Sequence, residues 1–525
     1  MGAPLGDILV TDLDANPGAD IKASTDTDTD TGTDTDTDTD TVCDASEPSR
    51  DASSDLNANA DTTKDTQPAD LTADTTKDTQ PADLTVDITA RDAPEVSLTL
   101  EWSKSFGSSG ADIAWAVVVD SMDNSTITGN LDGLASFGGS DLDPIAPMAL
   151  FLASYSAHGV HRWSKCFGQQ GSNGGRALTV DAGNNVFVCG DFEGSASFGG
   201  STLTSVDQDD LVVASFTDGG VHRWSQGYGD TGDDGCLDLT RDRVTGHLFV
   251  AGRFTGTSSF GGPPLQSKGG WDALTLSLTS TGQHRWSQRF GGLGDDASNG
   301  LTVGPLGFVT VASGFNGTDS LDGNTITSSS DDALLPRSAL EDGAYGGHKQ
   351  LGGLGSDVSR AIAADAAGNI YIVGDFSLSV SFGNTATHTS SGQEDIFIAS
   401  YTPAGVHRWS KSMGSTNTDR GVALAMDAGG DIYVTGAFQG AVSCGGASLT
   451  SAGKIDIILT RINSNGANVW CRQLGGAGDD IPYDVTVSAG GAVYLTGSFT
   501  GTTDFGEGPL TSVGREDVFL LKFTQ

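Results

Sequence analysis

Basic side chains are scarce in this sequence of 525 residues, which holds 27 Lys and Arg against 68 Asp and Glu and has a formal net charge of −41 at pH 7. No basic stripe is present to neutralise phosphates, which excludes nucleic acid as a partner. An anionic membrane surface would repel the same charge. The acidity instead favours solubility and the attraction of cations or basic partners.

Long apolar runs are also missing, so no transmembrane segment is expected. The opening MGAPLGDILV lacks the basic and apolar regions of a signal peptide. The six cysteines form no CxxC motif and no zinc-ligand spacing. Those at positions 166, 189, 236, 444 and 471 take places that other repeats fill with small or apolar residues. We therefore expect buried fillers rather than a disulfide framework.

Aromatic residues are absent before Trp102. Residues 25–41 alternate Asp and Thr almost throughout, and the sequence ADTTKDTQPADLT at residues 60–72 is repeated at residues 73–85. Such a segment cannot bury enough apolar surface to offset its conformational entropy. Residues 1–95 are therefore predicted to form a disordered acidic tail, which serves either as a solvated stalk or as a passive extension.

The remaining residues, 96–525, carry an internal repeat whose best-defined motif is HRWSKCFG at residues 161–168. Neighbouring copies of its central position are 61 or 62 residues apart, and one copy has Gly in place of Trp. We expect the repeated Trp to pack between neighbouring structural units rather than to form a ligand platform. The seven copies are centred on Trp102, Trp163, Trp224, Trp286, Gly347, Trp409 and Trp470.

Each repeat contains four short apolar runs separated by Gly, Asn and Asp. In the second repeat these runs are residues 176–180, 186–190, 211–216 and 221–225. Short β-branched or aromatic runs bounded by turn residues are typical of strands and hairpins. Four strands in each of seven repeats predict an all-β fold, a seven-bladed β-propeller of four-stranded blades.

The sequence resembles the bacterial beta-propeller repeat family, the seven-bladed propeller repeats of secreted and cell-surface proteins. The resemblance is carried best by the fifth repeat, in the segments at residues 357–365, 368–371, 381–383, 395–401 and 405–409. It implies the propeller fold and a place at the cell surface or outside the cell. It implies no catalytic residue, because these repeats share none.

The two ends of the repeat region are predicted to meet. The last repeat stops at residues 517–525, its third run, and no further copy of the Trp motif follows. The strand at residues 97–103 is available to complete that blade, which would remove the exposed edges of an open stack. The closed propeller would then consist of six continuous blades and one built from both ends.

The fourth repeat departs most from the pattern, with Gly347 for Trp and Pro336 within its third run. Proline cannot donate to a β-ladder, so we expect this strand to be bulged or cut short. Two interpretations stay open. The irregularity either opens a lateral pocket near Pro336 to His348 or is repeat decay that the regular neighbours tolerate.

A phased set of carboxylates precedes the first strand of each repeat and is predicted to lie around the channel mouth. Oxygen-only ligation there would suit Ca²⁺, although an Asp at a strand entry also stabilises turns by accepting backbone N–H bonds. No catalytic residue and no cofactor-binding residue is identified, and no cofactor is required. The candidate metal ligands are Asp112, Asp234, Asp296, Asp357, Asp419 and Asp480, with Asn173 in the seventh repeat.

These observations favour a non-enzymatic propeller that acts in binding or scaffolding, and the family resemblance implies that it lies outside the cytoplasm. Its ligand would be a carbohydrate or a protein at the channel mouth, and the protein is expected to be a monomer. One alternative is a polysaccharide hydrolase or lyase at the channel mouth, since propellers host active sites there. A second alternative is a purely structural surface-coat protein.

Overall fold

The computed structural model describes residues 43–44 and 98–525, apart from residues 146–147, 169–170, 172, 322 and 384–386. Within these residues all regular structure is β-strand. In the same part of the chain, no helix exists that is long and apolar enough to cross a membrane. The predicted tail at residues 1–95 lies outside the described residues, except for Cys43–Asp44, which pairs with the strand His161–Phe167.

The strands form seven four-stranded antiparallel units, I to VII, each in the order a-b-c-d. The a strands are Ile113–Val119, Asn173–Val180, Asp234–Arg241, Ala297–Gly304, Asp357–Ala364, Arg420–Met426 and Asp480–Val487. The b strands are Ser125–Leu131, Val186–Phe192, Leu248–Phe254, Phe308–Leu321, Ile370–Ser381, Ile432–Phe438 and Val493–Phe499. The c strands are Ala149–Tyr155, Asp210–Phe216, Asp272–Leu278, Asn324–Ala339, Thr387–Tyr401, Asp456–Ile462 and Asp517–Thr524. The d strands of units I to VI are His161–Phe167, His222–Tyr228, His284–Phe290, Tyr345–Gly353, His407–Met413 and Asn468–Leu474.

Unit VII takes its d strand from the other end of the repeat region. Thr99–Phe106 pairs antiparallel with Asp517–Thr524, so strands 99–106 and 480–524 form one sheet. The a strands of successive units contact one another, and the a strand of unit VII contacts that of unit I.

Short hairpins cap the b–c connections of four units, and one pairing joins two sheets. The hairpins pair Ser195–Ala196 with Leu203–Thr204, Thr257–Ser258 with Leu265–Gln266, Ala441–Cys444 with Ala447–Thr450, and Thr502–Asp504 with Pro509–Thr511. Gly352 and Gly353 of unit IV pair with Ser381 and Val380 of unit V, which links these two units into a single eight-stranded sheet.

The hydrophobic core lies between the faces of neighbouring units. The c strand Asp210–Phe216 is buried along its whole length, which explains its nearly continuous apolar sequence, because both faces of the strand pack against protein. One buried cluster joins Phe187 and Val213 of unit II to Val250 and Leu274 of unit III. Each unit therefore depends on its neighbours for burial.

The prediction that the repeated Trp packs between units is confirmed. The Trp163 indole lies against Gly220 in the c–d turn of the next unit, and its Nε1 donates to the carbonyl oxygen of Asp218 at 2.8 Å. Gly220 has a φ of 76°, and a side chain there would collide with the indole. Trp102, Trp224, Trp286 and Trp409 make the equivalent turn contact with Gly159, Gly282, Gly343 and Gly466.

The irregularity expected in the fourth repeat is present in unit IV. Its c strand, Asn324–Ala339, keeps its length, and its register shifts between Pro336 and Ser338, which confirms the bulged alternative. On its b strand, Ser313 pairs with the a strand at the position that is Gly in the other units.

The expectation that the cysteines are only buried fillers is wrong for four of them. Cys189 on a b strand is bonded to Cys236 on the a strand of the next unit, with Cα atoms 6.1 Å apart. Cys444 and Cys471 form a second disulfide within unit VI. Cysteines far apart in the sequence meet because neighbouring sheets stack face to face, which single-repeat comparison does not reveal.

Candidate functional site in the central cavity

Each a strand contributes one residue, located at a β-bulge, to the lining of a central cavity. Each a strand shifts register by one residue against its b strand. A bulge of this kind redirects a side chain out of the regular alternation. A cavity of about 130 Å³ is lined by these seven half-buried residues, one from each unit: Trp115, Arg176, Leu237, Asn299, Arg360, Val422 and Tyr483.

Sequence reasoning missed these residues, although a signal was present. Each lies three positions after the phased Asp, or after Asn173 in unit II. Most of the other strand positions repeat similar residues, whereas this one changes among aromatic, basic, amide and aliphatic types. Packing positions must stay alike from unit to unit, so a position that varies at a fixed phase indicates a role outside packing.

Aromatic and basic groups cluster on one wall of the central cavity. The ring centroids of Trp115 and Tyr483 are 4.4 Å apart, and the Arg176 guanidinium lies 4.9 Å from the Trp115 ring. Arg176 Nε is 3.0 Å from Asp191 Oδ2, and Trp115 Nε1 donates to Asn130 Oδ1 at 2.7 Å. These contacts fix the orientation of a planar, hydrogen-bonding surface before any ligand arrives.

Arg360 in the cavity lining is paired with a carboxylate, and so is Arg420, two residues before the lining residue Val422. Arg360 Nε donates to Asp375 Oδ1, and Arg420 Nε donates to Glu394 Oε2 at 3.0 Å. Asn299 Nδ2 donates to a backbone carbonyl of the neighbouring a strand at 3.1 Å. The wall therefore offers fork-shaped cations that are already positioned by carboxylates.

Two carboxylates bridge neighbouring a strands just beyond the bulges. Asp238 Oδ2 accepts the backbone N–H of Leu301, and Asp484 Oδ2 accepts that of Val117, both at 2.8 Å. The second bond connects the last unit to the first. Loss of water raises the pKa of Asp238 to about 6 and that of Asp484 to about 7. Repulsion between the two adds to the shift at Asp484.

Acidic residues also gather in the loops of units II and III. Loss of water, together with the charges of Asp191, Asp233 and Glu193, raises the pKa of Asp209 to about 7. On the next unit, Arg253 stacks on the Trp271 ring at 4.4 Å. These loops of units II and III therefore hold several acidic groups whose charges act on one another.

The six carboxylates predicted as metal ligands are buried, being at most 2% exposed. Asp296 Oδ2 accepts the N–H of Gly292, and its Oδ1 accepts that of Asn316, both at 2.8 Å. Asp112 and Asp419 are bonded in the same way, to the amides four residues before and twenty residues after each. These carboxylates tie the loop before strand a to the end of strand b.

Several of these groups lie beside a second buried carboxylate, the first residue of the preceding c strand. Loss of water raises the pKa of Asp234 to about 7 and that of Asp480 to about 6. Repulsion from Asp210 and Asp456, respectively, contributes to these shifts. The region therefore carries less negative charge near neutral pH than its composition suggests.

The structure does not gather the six carboxylates into one cluster. Their hydrogen-bond partners belong to local loops, and no group of three His, Cys, Asp or Glu side chains among the described residues is arranged to hold a metal ion. Calcium binding by these residues stays a prediction.

Asp357 is expected to make stability depend on pH. Its carboxyl is fully buried, and loss of water together with the charge of Asp332 raises its pKa to about 8. The protonated form favours the folded state, so this contribution is fully present below the unfolded pKa of about 3.9 and is lost as the pH rises through about 8. At pH 9 the free energy of unfolding of Asp357→Asn should exceed that of the parent by an amount on the order of a few kcal/mol, so the variant should melt at a higher temperature. This gain should shrink towards pH 5.

Asp365, eight residues later on a turn, provides the opposite control. Burial disfavours its charged form, but hydrogen bonds from Asn369 and Ala367 outweigh burial and lower its pKa. Its contribution is present above the unfolded pKa and is lost only as the pH falls through the folded value. Asp365→Asn should lower the melting temperature equally at pH 6 and pH 9. A pH-independent effect of Asp357→Asn would contradict the assignment.

Comparison with known proteins agrees with the repeat architecture. Residues 347–375 match the family described as beta-propeller repeat. A regulatory protein from Caulobacter vibrioides, FlaEY, is 28% identical over 164 residues, which is 30% of this chain and 17% of the length of that protein.

Solved structures with a similar fold share little sequence. The hydrazine synthase of Kuenenia stuttgartiensis is 10% identical with a TM-score of 0.43, over 76% of this chain and 96% of that one. The Dos1 propeller is 7% identical with a TM-score of 0.42, over 81% and 95%. A quinohemoprotein alcohol dehydrogenase from Pseudomonas putida is 11% identical with a TM-score of 0.40, over 81% and 76%. At these values the likenesses carry no argument about function.

Proposed function

Because the chain carries the beta-propeller repeat, we propose that its seven units are the blades of one closed propeller, and that this propeller is an extracytoplasmic binding module without catalytic activity. The contact between the a strands of units VII and I supports closure, as does the bond from Val117 to Asp484. The ligand would enter at the mouth of the channel that contains the central cavity.

The observation that carries the binding proposal is the asymmetry of the seven bulge residues. Trp, Gly and the phased Asp recur from unit to unit because they pack units or close turns. The bulge residues occupy one phase and differ in chemistry, yet they converge on one cavity. A ligand without sevenfold symmetry requires a lining of this kind. The cavity-lining residues include no Ser, Cys or His, which favours binding over nucleophilic catalysis.

The two disulfides support a location outside the cytoplasm. Disulfides form and persist in oxidising compartments and are rare in the cytosol. The link between Cys189 and Cys236 joins two units of the folded domain. A secreted or cell-surface location, which the family resemblance implies, fits this chemistry.

The wall chemistry favours a carbohydrate ligand, with a protein segment as the second class. Trp115 and Tyr483 offer aromatic surface, while Arg176, Arg360 and Asn299 offer N–H groups to hydroxyl or carboxylate oxygens. Sites of this type combine apolar or aromatic surface with a few placed polar groups.

A glycan array followed by calorimetric titration of the leading glycan tests the proposal. The parent protein should bind saturably without releasing product. Arg360→Ala should weaken binding about tenfold or more, because hydrogen bonds from charged groups contribute about 1.5–3 kcal/mol. Arg243→Ala, at an exposed a–b turn, should bind like the parent.

Three results would contradict this function. Product formation would support a hydrolase or lyase, equal binding by Arg360→Ala and Arg243→Ala would place the ligand elsewhere, and no binding at all would support a structural coat protein.

A parallel titration with CaCl₂ tests the carboxylate set. Saturable heat in the parent that is lost in Asp296→Asn would establish a cation site there. Its absence would leave Asp112, Asp234, Asp296, Asp357, Asp419 and Asp480 as turn and strand anchors.

A further inference from the structure

The contact between units IV and V lacks the Trp that fills the equivalent contacts. Gly347 occupies the Trp position, and no atom lies within 4 Å of the place where a side chain on Gly347 would begin. The same is true of Gly405 in the c–d turn of unit V, the residue that a Trp would otherwise cover. We call this space the vacant tryptophan site.

Two further truncations enlarge the vacant tryptophan site. Strand pairing makes Gly346 the equivalent of Arg285, and Thr310 the equivalent of Phe249, which packs against Trp286 in unit III. Three large side chains are thus missing at one place. The result is a cavity of about 180 Å³. It lies at the place where the sequence left two interpretations open, a lateral pocket or repeat decay. An apolar cavity of about 150 Å³ is large enough to admit a benzene ring.

The walls of the vacant tryptophan site are apolar and aromatic. Leu306, Phe308, Ile370, Tyr401 and Pro403 line it. In the equivalent contacts between other units, this space holds an indole whose N–H donates to the backbone carbonyl of the second residue of the c–d turn. The shape therefore suits a planar aromatic ring, because a ring of that kind occupies it in the other units.

Two cations stand at the rim of the vacant tryptophan site. Arg337 takes a position that is Ser in units I, II, III and V and basic in units VI and VII. Its guanidinium stacks 4.5 Å from the Phe308 ring and donates to the Pro403 carbonyl at 2.9 Å. Lys349 Nζ lies 5.1 Å from the Tyr401 ring. Among the described residues no carboxylate forms an ion pair with either cation. In a chain of net charge −41, two cations at an apolar cavity mark a place for an anion.

We propose that the vacant tryptophan site binds one planar aromatic group that carries a carboxylate. The ring would take the place of the missing indole over Gly405, and the carboxylate would face Arg337 and Lys349. The tail at residues 1–97 contains no aromatic residue, so these residues cannot supply the ring. The source is either a free aromatic acid or the C-terminal aromatic residue of another polypeptide.

Calorimetric titration of the full chain with indole-3-acetate tests the site, with neutral indole-3-acetamide as the matched ligand. We expect one saturable site per chain for the acid and about tenfold weaker binding of the amide, since charge-assisted hydrogen bonds are the stronger kind. A short peptide ending in Trp, with a free or an amidated C-terminus, distinguishes a polypeptide source from a free acid. Binding of neither acid, or equal binding of acids and amides, would overturn the proposal.

Variants taken from the sister units locate the binding. Gly347→Trp should fill the cavity and abolish acid binding. Because Gly347 has a φ of 104°, this variant carries backbone strain, and the pair Arg337→Ser with Lys349→Gln supplies an independent test. That pair restores residues found at the same positions in unit III and should weaken the acid about tenfold without changing the affinity for the amide. Unchanged acid binding in both variants would show that the site lies elsewhere.

Discussion

Deletion of residues 96–107 is expected to abolish cooperative unfolding and to produce an aggregation-prone protein. The deletion removes the strand Thr99–Phe106 and leaves Asp517–Thr524, which is buried along most of its length, as an open edge. It also removes Phe106, whose ring stacks 5.1 Å from those of Phe137 and Tyr155 in unit I. Loss of one large buried side chain costs about 3–5 kcal/mol, and whole domains are stable by only about 5–15 kcal/mol.

Deletion of residues 60–85, the duplicated polar segment, is the matched control and should leave the melting temperature unchanged. Phe106→Ala supplies an intermediate case, because it keeps the backbone pairing but loses the ring stack. It should melt cooperatively at a lower temperature. Thermal denaturation followed by circular dichroism, with light scattering for aggregation, measures all three proteins. A strand-deleted protein that melts like the parent would refute ring closure.

The second large effect is expected on removal of the disulfide between units II and III. Cys189 and Cys236 are 47 residues apart in sequence, and their bond is a covalent tie between two sheets that otherwise meet through packed side chains and hydrogen bonds. A bond that closes a loop of this length restricts the unfolded chain, and its loss typically costs about 2–5 kcal/mol. The double variant Cys189→Ala and Cys236→Ala should therefore melt well below the parent.

The disulfide within unit VI provides the comparison. Cys444 and Cys471 are 27 residues apart and join elements of one unit, so their removal should cost less. Reductant should lower the melting temperature of the parent and have a smaller effect on each double variant. A parent whose melting temperature does not respond to reductant, and whose cysteines all react with a thiol reagent after denaturation, would show that neither bond forms.

Local features of the fold could be predicted because they depend on neighbouring residues. The run at residues 211–216 predicts the strand Asp210–Phe216 to within one residue. The turn after Val180 was predictable for the same reason, since Asp181 Oδ1 accepts the N–H groups of Gly183 and Asn185 at 2.8 and 2.9 Å. Alternating apolar residues and turn residues act within a few positions along the chain.

The candidate site could be predicted only in part. The phased carboxylates were visible as a repeated position, but their partners were not, since Asp296 binds an amide twenty residues away. The bulge residues were overlooked because a strand pattern does not reveal where a register shift occurs. Arg176 and Arg360, for example, lie in apolar runs whose alternation gives no reason to place them inside a cavity.

The sequence by itself determined the repeat, its four strands per unit and the position where a Trp is missing, because each is a pattern repeated along one chain. Tertiary structure alone decided which side chains meet across units. Stacking of neighbouring sheets joins Cys189 to Cys236, brings Trp115 against Tyr483, and leaves the space at Gly347 empty. Those contacts depend on the register and distance between sheets, which many residues set together and which no single stretch of sequence encodes.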